Sequence, residues 1–114
     1  MTNETREALV LLKAQLVASE EAASRFAVLR TALSRSASGG GIAEPTAAAE
    51  HSLAEVRALA DRQSALLTAA EAYSLADLLA REPNLRERVA VERVLRAVAA
   101  RQEELQMLVR SCAE

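Results

Sequence analysis

From Val91 to Cys112 the chain repeats apolar or amide side chains in alternating steps of four and three, through Leu95, Val98, Gln102, Leu105 and Val109. That spacing holds one stripe of an α-helix against a neighbour. A strand cannot use it, because strand side chains change face at every residue. Asn84, just after Pro83, is placed to cap this helix. A stripe this long obliges the chain to supply further helices that cover it.

Two other segments answer that need. Leu9, Leu12, Leu16, Ala23, Phe26 and Leu33 recur at threes and fours, with Ser19 and Arg30 filling the remaining positions, and predict a helix over about Asn3 to Ser36. Thr2 or Asn3 can cap it, and Glu4 and Glu7 fall in its first turn, where the helix dipole favours negative charge. The run Ser34 to Glu44 has no periodicity and contains Gly39, Gly40 and Gly41, so residues 34–44 are expected to form a flexible loop. Pro45 then opens a second long helix whose seam is Leu53, Val56, Ala60, Gln63, Leu67 and Ala70. Ser74 with Asp77 resembles a capping box for a short helix, Leu75 to Arg81, with Leu75, Leu78 and Leu79 on one face. The expected fold is all-α: one domain over residues 1–114, an antiparallel bundle of three long helices plus one short one. Run up, down and up, the last turns would lie beside the glycine loop and the short helix at the far end.

Composition agrees and narrows the function classes. Hydrophobic residues make up 51% of the 114 and aromatic ones 2%, so the core must be built from Leu, Val and Ala. The formal net charge is −2 with the signs interspersed, which gives no basic field for nucleic acid, and aromatic side chains for base stacking are lacking. No apolar run approaches the roughly 20 residues that cross a bilayer. The polar start Met1 to Glu7 is unlike a secretory signal, and a lone Cys112 makes no internal disulfide, so a cytoplasmic location is expected.

Candidate chemistry reduces to bland structure. His51 lacks the nearby lysine and glycine that support a phosphorylated imidazole, and reads as a surface or seam residue. Cys112 sits on the last seam as a small apolar group, with only Arg110 to activate a thiolate. The glycine run is followed by no Lys-Ser or Lys-Thr and is no phosphate loop. Glu20 with Glu21, and Glu103 with Glu104, are adjacent on helices and point about 100° apart, so neither pair converges on a substrate. Pairs such as Glu82 with Arg86 and Glu92 with Arg96, four apart, mark solvent faces. No catalytic residue, cofactor or metal ligand is expected, and no enzyme.

Apolar residues nevertheless exceed a minimal core in two places, Leu9 to Leu12 and the cluster Leu105, Met107, Leu108 and Val109. The order of the helices, together with Leu11-Leu12-Lys13-Ala14-Gln15-Leu16, Leu59-Ala60-Asp61-Arg62-Gln63-Ser64-Ala65-Leu66-Leu67, Ser74-Leu75-Ala76-Asp77-Leu78-Leu79 and the amides Gln102 and Gln106 ahead of Leu108, resembles the FlgN-type flagellar export chaperones. That resemblance implies a small cytoplasmic helical protein. Its role would be to bind hook-filament junction proteins before type III export, taking up their amphipathic terminal helices. An apolar groove with a polar rim would serve such a role, and Gln102, Leu105, Gln106, Leu108 and Val109 are the expected partner-binding residues. The alternative is a structural coiled-coil or self-associating helical subunit, a homo-oligomer covering its own stripes.

Overall fold

A computed structural model describes residues 1–35 and 41–113, and among them the chain forms four helices and no strand. These are α1 (Asn3–Arg35), α2 (Ala43–Ala69), α3 (Leu75–Ala80) and α4 (Leu85–Ala113). The three long helices lie side by side in an elongated body of 57 × 23 × 18 Å. α1 is the central member and packs along both α2 and α4, whereas the backbones of α2 and α4 scarcely approach one another. The Gln15–Gln63 pair and the contact between Cys112 and the Phe26 carbonyl fix the directions as up, down and up.

Local chemistry sets the ends. The Thr5 amide donates to Thr2 Oγ1 at 3.1 Å, making Thr2 the cap of α1. α2 begins earlier than expected, at Ala43, with Pro45 as its third residue; the amides of the first turn have no partner within the helix, so Pro sits there without loss. Both ends of the expected loop over 34–44 are therefore helical, with α1 reaching Arg35 and α2 starting at Ala43, and the flexibility expected of its middle, residues 36–40, lies outside the described residues. α2 ends in a Schellman turn, with the Ala72 amide donating to the Leu67 carbonyl at 2.9 Å and Glu71 at φ 53°. Arg81 covers the freed carbonyls of Ala70 (2.6 Å) and Glu71 (2.8 Å).

The capping box of α3 forms with one change. Ser74 Oγ accepts from the Asp77 amide, but the Asp77 carboxylate reaches back to the amide of Tyr73. Asn84 caps α4 by accepting from Glu87 N at 3.1 Å. Two expected ion pairs are replaced. Glu82 is buried and accepts from the backbone amides of Thr2 (2.7 Å) and Asn84 (3.0 Å) instead of meeting Arg86. Glu92 pairs with Arg88 at 3.7 Å instead of Arg96. The Asn84 and Thr2 amides, with the Thr5 hydroxyl, hold the Glu82 carboxyl below its ordinary value.

Burial on α1 differs from the one-stripe expectation. Thr5, Ala8, Leu12, Gln15, Ser19, Ala22, Phe26 and Leu29 form a buried row, flanked by the buried Leu11, Ala18 and Ala23, while Arg30 and Leu33 lie exposed. A central helix buries both flanks of its stripe, so its midline moves between them. Leu11 turns toward Leu66 of α2, and Ala23 toward Leu108 of α4, leaving only Val10 of the Leu9 to Leu12 cluster facing outward.

The core falls into two parts. One joins Ala8, Leu12, Leu75, Leu78, Leu79, Val91 and Val98 at the α3 end; the other joins Ala22, Ala23, Phe26, Leu29, Ala49 and Leu105. Gln15 and Ser19 of α1 lie between them as a polar layer.

Candidate functional site

Because α4 stays back from α2, the seam of α2 is left only partly covered: Leu53, Val56, Gln63 and Leu67 are half-buried, and Ala60 is exposed. The α4 seam divides in the same way. Val91, Val98 and Leu105 bury against α1, while Leu95, Gln102 and Val109 are half-buried. The steps of three and four tilt alternate members to either side of the helix midline, so one set meets α1 and the other is turned toward α2.

The outcome is a groove between α2 and α4. Toward the end where α1 finishes it is a cleft of about 420 Å³, with Leu53, Val56, Leu105 and Val109 as its apolar surface and Arg57, Gln102, Gln106 and Arg110 as its polar rim. Gln102 also borders a second cleft of about 300 Å³, where Leu12 and Gln15 form the floor, Gln63 and Leu95 the sides, and Ser74 and Leu75 of α3 the closed end. The two clefts meet at Gln102, and α1 lines only the second of them, through Leu12 and Gln15.

Polar chemistry in the groove is sparse. Gln15 is 2% exposed and donates through Nε2 to Gln63 Oε1 at 2.9 Å, but its own Oε1 has no hydrogen-bond partner among the described residues. Ser19 Oγ, one turn further along α1, is likewise buried and unpaired. Neither Arg57 nor Arg110 has a carboxylate within 4 Å among the described residues. Three of the paired carboxylates considered from the sequence are engaged outside the groove: Glu20 meets Arg101 at 3.8 Å, Arg101 meets Glu104 at 3.0 Å, and Glu21 pairs with Arg25, which also donates to the buried Ser52 at 2.6 Å.

Of the five expected partner-binding residues, Gln102, Leu105, Gln106 and Val109 line the groove. Leu108 does not. It lies on the other flank of α4, beside Ala23 and Ala27 of α1, because residues two apart on a helix point about 200° apart and Gln106 already faces the groove. Met107 is 65% exposed and belongs to neither face. Sequence reasoning assigned Leu53 and Val56 to the core and left Arg57 and Arg110 without a groove role. Their periodicity was visible, but which of two seams stays uncovered depends on the spacing of the helices.

His51 is exposed and its Nε2 lies 3.2 Å from Glu55. Cys112 is half-buried with its Sγ 3.5 Å from the Phe26 carbonyl. Among the described residues no three His, Cys, Asp or Glu side chains converge, and no helix is long and apolar enough to cross a membrane. Comparison with protein-family models, with curated proteins and with solved structures finds no match.

Proposed function

We propose that this chain is a non-catalytic binding protein whose α2–α4 groove takes up an amphipathic helix of another protein. The observation that carries this reading is the uncovered apolar seam: Leu53, Val56 and Val109 remain half-buried around a cleft rimmed by amides and arginines, the profile of a helix-in-groove site. Residues 95 to 110 of α4 border it, a length of about 22 Å that matches roughly four turns of bound helix. In keeping with the resemblance to FlgN-type proteins, the occupant is a terminal helix of a flagellar hook-filament junction protein, held in the cytoplasm before export. Titration calorimetry with synthetic terminal helices of such proteins tests both levels. Binding that disappears when Gln106→Trp fills the cleft, with helicity unchanged by circular dichroism, supports the proposal. Binding of generic amphipathic helices but not of junction helices removes the flagellar assignment and leaves the groove.

A second reading, self-association, has one observation in its favour. Val10, Val17 and Val28 are 61%, 64% and 58% exposed on the outer face of α1, away from the groove. A dimer by sedimentation that dissociates in Val17→Lys would favour it; a monomer at high micromolar concentration would remove it.

A further inference from the structure

The lining of the groove constrains what its occupant must carry. The larger cleft is bordered by Arg57 of α2 and Arg110 of α4 with no carboxylate among its lining residues, although the whole chain has a net charge of −2. A helix lying between these arginines meets positive potential at that end, and lysines there would be repelled. The second cleft contains Gln15, almost wholly buried, whose Oε1 is unpaired beside Gln63 and Gln102. A buried acceptor without a partner is costly to leave unpaired, so a donor that reaches it gains more than one placed in water. Gln63 lies six residues from Arg57 along α2, and Gln102 eight residues from Arg110 along α4. At the helical rise the two features are about 9 to 12 Å apart, close to two turns of a bound helix.

We propose that the occupant is an amphipathic helix with acidic side chains flanking the end that lies between Arg57 and Arg110. About two turns away, on its apolar face, it presents a hydrogen-bond donor to Gln15. This specificity rests on the groove being the binding site. The acidic flank selects partner and direction, and the donor sets the register, because a helix shifted by one turn would leave both its own polar group and Gln15 unpaired.

The test uses designed 18-residue helical peptides with one Leu/Ala face. One carries glutamates on the flank and Asn two turns away; the others exchange glutamate for lysine, or Asn for Leu. Fluorescence anisotropy should show the glutamate peptide binding roughly tenfold tighter than the lysine peptide at low salt. That preference should shrink in 0.5 M NaCl and reverse in the Arg57→Glu/Arg110→Glu double variant, whose two changes are on exposed side chains. Exchange of Asn for Leu should weaken binding to the wild type and not to Gln15→Met. Equal binding of the glutamate and lysine peptides overturns the charge selection while the groove stands. Binding of the Leu peptide to the wild type as tight as or tighter than that of the Asn peptide overturns the register donor. If none of the peptides binds, the groove reading itself fails, and this inference with it.

Discussion

The two ends of the bundle are built from the same kinds of residue and reach different states of closure. At the α3 end, Leu75, Leu78 and Leu79 enter against Leu12 and Val91, and every member of that set is at most 5% exposed. At the other end Phe26, Leu29 and Leu105 are buried, yet Leu53, Val56, Val109 and Cys112 around them are only half-covered, because no fourth helix among the described residues covers them. A short helix of six residues is thus what separates a closed core from an open groove. Three helices whose outer two scarcely approach leave one position for a fourth, and among the described residues α3 fills it at one end only.

That contrast can be broken by substitution. The largest expected effect is Leu79→Ala, which leaves a cavity in the closed end and should cost about 3 kcal/mol in urea unfolding, against about 1 kcal/mol for Leu53→Ala at the half-covered groove wall. Equal losses would mean that the two ends are packed alike. A smaller effect is expected in the polar layer between them. Gln15→Met replaces a half-satisfied buried amide by an apolar chain of similar size and leaves Gln63 able to reach water, so it should raise stability by about 1 kcal/mol. A loss of stability there would show that the Gln15–Gln63 bond holds the helices in register. The smallest effect is confined to acid. Glu82 ties the start of α1 to the turn before α4, and its carboxyl titrates below its usual 4.5. A depressed carboxylate contributes stability that is fully present above the unfolded value and is lost as pH falls through the folded one. Glu82→Gln should therefore be less stable at neutral pH and show a shallower decline below about pH 4.5 in acid titrations followed by circular dichroism.

Much of this fold was legible in the residues. The α4 seam, the Asn84 cap and the Ser74 cap with its leucine triad are local signals, each set by interactions within a few residues, and the structure forms them where the spacing put them. The details that were misjudged depend on neighbours distant in sequence. On α1 the expected Leu12, Ser19, Ala23 and Phe26 are buried, but Leu9 and Leu16 are only half-covered while Ala8, Gln15 and Ala22 are buried as well, because a helix flanked on two sides has its midline set by both. Glu82 left Arg86 for the amide of Thr2, some eighty residues away, which no i,i+4 rule can anticipate.

The candidate groove divides along the same line. Periodicity alone placed Gln102, Leu105 and Val109 on one stripe, and helix geometry alone could have removed Leu108 from Gln106's side. The helices and their order are written in the residues, because hydrogen bonding, capping and apolar period act over one or two turns. Packing of all three long helices placed α1 at the centre, kept α2 and α4 apart, and brought Leu53, Val56, Arg57 and Arg110 into a cleft with the α4 amides. Distances between helices follow from how side chains of all three interlock, a property no single stripe contains.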